Sequence, residues 1–138
     1  MYSRNLAAQY KQTSVTSAVL DADPHRLVSL MFAGARERLK LAAACIGAGN
    51  IARKGEAINE TSLIIGSLDG SLDHSAGGEI AAGLASLYEY MQFRLVEANL
   101  NNDTAVLAEI DGLLADIEGA WNAIAPGATP LQAAGAAR

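Results

Sequence analysis

The stretch that decides the fold is GGEIAAGLASLYEYMQFRLVEANLNND, residues 77–103. It opens with two glycines, continues as an apolar stripe and closes in an Asn-rich segment. The stripe recurs every three or four positions, which places these residues on one helix face: Ile80, Leu84, Leu87, Met91, Leu95 and Ala98. Tyr88, Val96 and Leu100 widen that face beyond what one neighbouring helix would cover. The stretch therefore predicts a long helix in a bundle, with apolar surface left for a partner.

A first helix precedes this stretch and has clear signals at both ends. Asp23 can accept hydrogen bonds from free backbone N–H groups, and Pro24 suits the first helical position because it lacks that donor. Apolar residues then follow at helical spacing as far as Ile46. Residues 47–50, Gly-Ala-Gly-Asn, end the helix because glycine tolerates the left-handed closing conformation.

A second helix is predicted from about Ile51 to Leu72. Three glycines, Gly55, Gly66 and Gly70, weaken it intrinsically by about 1 kcal/mol each relative to alanine. Two interpretations stay open: the helix is locally soft, or its glycines admit a close neighbour.

The remaining boundaries follow from turn and capping residues. Residues 73–78 form a predicted turn into the third helix, whose first turn carries Glu79 with a charge that complements the helix dipole. The third helix closes around residues 99–102, and Asn102 or Asp103 caps the fourth helix.

These elements predict an all-α protein: an antiparallel up-down-up-down four-helix bundle with a loosely packed N-terminal arm. Short connections make sequential helices antiparallel neighbours, and the length of 138 residues suits one domain. We assign residues 1–20 to the arm and residues 21–125 to the bundle. Residues 126–138, which begin with the helix-stopping Pro126, are expected to be a disordered tail.

Composition excludes several classes of function. A formal net charge of −5 disfavours nucleic-acid binding, because an acidic surface repels phosphates. The N-terminus lacks a signal-peptide apolar stretch, and no run of eighteen apolar residues occurs, so we expect a cytoplasmic protein without membrane insertion. The single Cys45 lies among small residues and is expected to fill the core.

No catalytic, cofactor-binding or metal site is predicted. His25 and His74 sit at helix ends without the Glu-x-x-His pairs of a di-iron bundle, and both are expected to be solvated. Asp69 and Asp73 share a helix face, but two surface carboxylates at that spacing are usually just hydrated and do not form a catalytic pair. The Gly77-Gly78 pair lacks the Lys and Ser/Thr of a phosphate-binding loop.

Two aromatic features of the helices remain. Tyr88 and Tyr90 point about 200° apart on an α-helix, so only one of them can be in the core. Trp121, near the end of the fourth helix, is expected to be a lid on the core rather than part of a ligand site.

The chain as a whole resembles a known family over residues 1–124. The resemblance rests on these positions and is most specific over residues 77–103: Met1-Tyr2, Tyr10, Val15, Asp23-Pro24-His25-Arg26-Leu27, the run from Leu30 to Ala35, Gly55-Glu56-Ala57, Leu113-Leu114 and Ala120-Trp121. In these residues the chain is similar to the flagellin-specific export chaperones of bacteria, the FliS family.

The resemblance implies a non-enzymatic, cytoplasmic chaperone without a cofactor. Members bind the disordered C-terminal segment of flagellin, prevent its premature polymerisation and deliver it to the membrane export gate of the flagellar type III apparatus. The family's N-terminal element corresponds here to the arm with Tyr10 and Val15, which is associated with the export gate.

The residues expected to form the flagellin groove come from the second and third helices: Ile64, Leu68, Leu84, Tyr88, Met91 and Leu95. An alternative is a self-associating structural bundle, whose apolar stripes bury each other in a homodimer. A further alternative, an enzyme with an unrecognised site, would need a concave polar pocket.

Overall fold

The computed structural model describes residues 23–124, which form four helices. In chain order they are α1 (Pro24–Ala48), α2 (Ile51–Gly70), α3 (His74–Asn101) and α4 (Thr104–Ala123). Both α1 and α3 pack against α2 and α4, which closes the ring of a four-helix bundle. The predicted all-α four-helix bundle is therefore confirmed. The predicted arm and tail lie outside the described residues.

Each helix begins at an Asp or Asn whose side chain accepts hydrogen bonds from the first turn. Asp23 accepts from the Arg26 N–H at 2.7 Å, and Pro24 occupies the first position of α1. Asn50, Asp73 and Asp103 do the same for α2, α3 and α4. These side chains satisfy backbone donors that have no partner within a helix.

Two connections at one end of the bundle have the same design, and we call this end the closed end. Gly49–Asn50 joins α1 to α2, and Asn102–Asp103 joins α3 to α4. In each pair the first residue adopts the left-handed conformation, with φ of 76° at Gly49 and 50° at Asn102. The second residue caps the next helix, so two residues suffice to reverse the chain.

The start of α3 differs from the prediction. The residues expected to be a turn already form a helical turn from His74, because the Asp73 carboxylate accepts from the Ser75 and Ala76 N–H groups at 3.1 and 3.0 Å. Gly78 then breaks the helix with φ 53° and ψ −124°, a conformation open only to glycine. The third helix therefore begins earlier than predicted and has a kink at Gly78.

The core runs along the axis of the bundle, and Cys45 is buried in it as predicted. Its largest fully buried side chains are Phe32, Leu39, Ile65, Leu68, Met91, Leu95, Leu107, Ile110 and Leu114. In α2, a Cβ added at Gly55 or Gly70 would meet nothing within 4 Å, and one at Gly66 would lie 3.9 Å from Gln92 Nε2. The glycines of α2 are therefore not required by a close neighbour.

Ion pairs bind α1 to both of its neighbours. The Arg36 guanidinium lies 2.8 Å from an Asp111 oxygen and 2.7 Å from a Glu118 oxygen on α4. Those two hydrogen bonds raise the Arg36 pKa above its ordinary value. Arg38 reaches the Glu60 carboxylate of α2 at 3.1 Å. Among the described residues, α3 is joined to α4 by the ion pair between Arg94 and Glu109 at 3.1 Å.

Candidate functional site

The six residues expected to form the flagellin groove do not form an open groove. Ile64, Met91 and Leu95 are buried in the core, where no partner can reach them while the bundle is closed. Leu68 and Tyr88 are also buried, but they line a cleft together with the half-buried Leu84. Helical spacing identified one face of α3, and in the structure α2 and α4 pack against that face. The open surface has to be sought elsewhere.

The opposite face of α3 carries three large apolar side chains in solvent. Phe93, Val96 and Leu100 are 67%, 59% and 78% exposed. Their spacing of three and four residues places them in one row, and each points about 140–180° away from the core residue Met91 at 3.6 residues per turn. We call these three residues the outer strip. Exposed apolar side chains in a contiguous row are typical of a protein-binding surface.

A second apolar surface lies at the end where α1 and α3 begin and α2 and α4 end, which we call the open end. Here a cleft of about 570 Å³ enters the bundle. Its apolar lining comes from all four helices: Val28 and Phe32, Leu68 and Leu72, Ile80, Leu84 and Tyr88, and Ile117 and Trp121. We call it the end cleft. Ile80 stands at its rim, 75% exposed to solvent.

His25 and Trp121 brace one wall of the end cleft. Their rings stack with centroids 4.4 Å apart and an angle of 5° between the planes. The Trp121 indole N–H donates to the His25 carbonyl at 3.0 Å, and His25 Nε2 lies 2.6 Å from the Trp121 carbonyl. Since a carbonyl oxygen only accepts, Nε2 is the donor. The prediction that His25 is solvated is therefore wrong, whereas Trp121 packs on the core as the predicted lid.

A polar cluster on the other side of α3 ties it to α4. The Tyr90 hydroxyl donates to the Glu109 carboxylate at 2.6 Å, and Arg94 binds Glu109 and Glu97, each at 3.1 Å. The hydrogen bond from Tyr90, followed by that from Arg94, lowers the pKa of Glu109. The Arg94–Glu97 pair lies within α3, whereas the Arg94–Glu109 pair joins α3 to α4. Tyr90 is exposed and Tyr88 is buried, as the angle between them requires.

Besides such surface pairs and caps, the described part of the chain buries three polar side chains, Lys54, Glu60 and Thr61. Residues 23–124 contain no group of three or more His, Cys, Asp or Glu side chains that could hold a metal ion. Nor does any of the four helices combine the length and apolarity needed to cross a membrane. Tyr10 and Val15, expected to contact the export gate, lie outside the described residues.

Sequence reasoning missed two features of these surfaces. Phe93 was not a candidate, although its spacing to Val96 and Leu100 could have identified the row. The contact between His25 and Trp121 had no sequence signal, because 96 positions separate them. Only the closure of the bundle brings the start of α1 to the end of α4.

The fold and these two apolar surfaces define a helical-bundle protein that leaves room for another polypeptide. A family model described as "Flagellar protein FliS" matches residues 6–128 of the chain. The chain belongs to the FliS family.

Similar proteins include several bacterial relatives. A "Flagellar secretion chaperone FliS" of Salmonella typhimurium is 42% identical over 130 residues, which cover 94% of this chain and 96% of that protein. "Flagellar secretion chaperone FliSB" of Pseudomonas aeruginosa is 44% identical over 124 residues, which cover 90% of this chain and 98% of that protein. A Bacillus subtilis FliS is 34% identical over 121 residues, covering 88% and 86% respectively.

Proposed function

We propose that this chain is a cytoplasmic, non-enzymatic export chaperone that binds the disordered C-terminal segment of flagellin. In this proposal the chaperone prevents premature polymerisation and delivers flagellin to the membrane gate of the flagellar export apparatus. Membership of the FliS family and the names of its relatives support the chaperone class.

The observation that carries the proposal is the outer strip. Phe93, Val96 and Leu100 expose most of their side chains on a face that no other described helix covers. Three large apolar residues in one row along a helix match the way in which an amphipathic segment lies against an apolar surface. A disordered segment with apolar residues at helical spacing is the kind of partner that this row fits.

Binding of this kind couples folding to recognition. The segment orders as it buries its apolar side chains, typically over about 1,000–3,000 Å², and the ordering takes about 2–5 kcal/mol of the interaction energy. Apolar flagellin surface held on the bundle is not available to another flagellin subunit. Neither the binding of the segment nor the masking of flagellin requires a nucleotide or a metal, because burial of apolar surface drives the association.

We therefore propose the outer strip and the end cleft, in place of the six-residue groove expected from the sequence, as the flagellin site. Leu68, Leu84 and Tyr88 stay candidates because they line the cleft. The contact of the arm with the export gate through Tyr10 and Val15 remains a prediction.

Calorimetric titration with a peptide that spans the C-terminal segment of flagellin tests the proposal. We expect saturable one-to-one binding with a negative heat-capacity change. Phe93→Asp should weaken it more than tenfold, because burial of one large apolar side chain contributes about 1.5–3 kcal/mol and the carboxylate adds a desolvation penalty.

The matched control is Leu41→Asp, which places the same charge at an exposed apolar residue of α1. It should bind the peptide like the wild type. Equal weakening by both substitutions would show that charge, and not the outer strip, governs binding. No binding by the folded wild-type chain, together with a molecular mass that doubles with concentration, would favour the self-associating bundle instead.

A further inference from the structure

The hydroxyl group of Tyr88 has no hydrogen-bond partner in the described part of the chain. The Tyr88 side chain is only 3% exposed, yet no bond of its hydroxyl is found there, whereas the hydroxyl of Tyr90 is bonded to Glu109. In residues 23–124 every side-chain nitrogen or oxygen that is sealed from solvent does have a partner. The Tyr88 hydroxyl is therefore not sealed. Because Tyr88 lines the end cleft, we infer that its hydroxyl opens into the cleft.

This hydroxyl stays protonated at physiological pH. Burial, together with the nearby negative charge of Asp69, raises the pKa of Tyr88 to about 12. A protonated phenol can donate one hydrogen bond. A ligand that fills the cleft excludes water from this donor, and leaving the donor unpaired would be unfavourable. Such a ligand therefore has to supply an acceptor at this position.

The remaining chemistry of the end cleft is mainly apolar, although the capping carboxylate of Asp73 also lines it. Its walls are mostly aliphatic and aromatic side chains, among them Val28, Phe32 and Leu72. A charge buried among them without a partner would be strongly unfavourable. The volume of about 570 Å³ lies within the range of ordinary ligand sites. The cleft thus suits one or two bulky apolar side chains with an uncharged acceptor beside them.

An unfolded polypeptide supplies that combination, and a second copy of the bundle does not. The main-chain carbonyls of an extended segment have no partner within the segment. On the described surface of this chain, the exposed large apolar side chains lie on or next to helices, whose carbonyls are mostly engaged in internal hydrogen bonds. A disordered client is therefore the better occupant.

We propose that Tyr88 is a recognition residue for the flagellin segment, an inference that rests on the proposed function. A bulky apolar side chain of an extended part of that segment fills the end cleft. The Tyr88 hydroxyl donates to the main-chain carbonyl oxygen beside it. The outer strip and the end cleft then hold two different parts of one client.

Tyr88→Phe tests this inference, because it removes one oxygen atom and keeps the ring. We expect the dissociation constant of the flagellin peptide to rise about tenfold, in line with the loss of one hydrogen bond. The free energy of unfolding of the free chaperone should stay the same or increase, because the hydroxyl has no partner to lose. Reduced affinity without reduced stability distinguishes recognition from a structural role.

Tyr90→Phe is the matched control, since it removes the same atom two residues away, outside the cleft. It should leave peptide affinity unchanged. Ile80→Asp, at the exposed rim of the cleft, is a second variant that leaves the core intact, and it should weaken binding as well.

Each outcome decides between named alternatives. If the wild type binds and Tyr88→Phe binds equally well, the inference is wrong and the proposed function stands. A matching loss of affinity and stability would assign Tyr88 a structural role. A wild type that does not bind the peptide overturns both proposals. A dimer that Tyr88→Phe dissociates would make a second copy the occupant.

Discussion

The two ends of this bundle differ in how completely they are closed. At the closed end, two-residue connections reverse the chain, and the Lys54 ammonium group, 4% exposed, donates to the Asn99 carbonyl at 2.9 Å. That carbonyl belongs to the last turn of α3, where carbonyls lack helical partners. At the open end, His25 Nε2 likewise donates to the Trp121 carbonyl in the last turn of α4, but a kink at Gly78 and the end cleft interrupt the packing of the core. The interior of the bundle is thus sealed at one end and accessible at the other.

This difference shows how a small bundle can bind a client and still fold. Apolar surface left open for a partner contributes nothing to the stability of the free chain. The closed end offsets that loss with short connections, capped helices and a satisfied helix terminus. We expect substitutions of packed residues near the closed end to lower stability, and substitutions in the wall of the end cleft to change binding with less effect on stability.

The largest expected effect on the free energy of unfolding comes from a comparison of two leucines of α3. Leu95→Ala, near the closed end, should lower the free energy of unfolding by about 3 kcal/mol, because it leaves a cavity in a fully packed core. Leu84→Ala, in the wall of the end cleft, should lower it by about 1 kcal/mol, because that side chain is only half-buried.

Urea unfolding of both variants measures the difference. Equal losses would show that the open end is packed as tightly as the closed end. Leu84→Ala should also weaken binding of the flagellin peptide.

The kink provides the next comparison. Gly78→Ala should lower the free energy of unfolding by about 2 kcal/mol, because its φ of 53° with ψ of −124° strains any residue with a Cβ. Gly83→Ala, five residues further along α3, should raise it by up to about 1 kcal/mol. A Cβ meets nothing within 4 Å at either position, so backbone conformation alone separates them.

Thermal unfolding, monitored by circular dichroism, checks that Gly78→Ala lowers stability and that Gly83→Ala raises it. A gain in stability for Gly78→Ala would mean that the kink relaxes into a straight helix at no cost.

The smallest effect concerns the terminus of α3 at the closed end. Lys54→Met keeps the aliphatic stem but removes the donor to Asn99, so we expect a loss of about 1.5 kcal/mol. Lys40→Met is the control on the exposed surface of α1 and should change stability by less than about 0.5 kcal/mol. Urea unfolding at neutral pH measures the stability of both variants. The affinity for the flagellin peptide should be unchanged in both. A loss for Lys40→Met as large as that for Lys54→Met would trace the effect to net charge.

The sequence alone predicted the helix boundaries that depend on local signals. Asp23 with Pro24, Gly49 within the predicted stop, and Asp103 cap the helices as expected, because a cap is decided within a few residues. The kink at Gly78 could not be predicted, since either a turn or a helical turn satisfies the capping signal of Asp73. Which of these two conformations forms depends on how the α2–α3 connection packs against the rest of the bundle.

The faces of α3 were harder to assign for a different reason. Large apolar residues occupy two faces of this helix, so periodicity could group Met91 with Leu95, but it could not say whether that face or the face of Phe93 and Val96 is covered by the bundle. Only the positions of α2 and α4 decide which row is covered. The prediction that Tyr88 and Tyr90 cannot both be buried needed helix geometry alone, and it is confirmed.

The position of Trp121 gives the chain a built-in optical reporter. It is the only tryptophan in the sequence, and its ring lines the end cleft and stacks on His25. Indole emission shifts in wavelength when neighbouring water is displaced, so a peptide entering the cleft should alter the intrinsic fluorescence, while one held only on the outer strip should not. Entry into the cleft can thus be timed in stopped flow without attaching a dye.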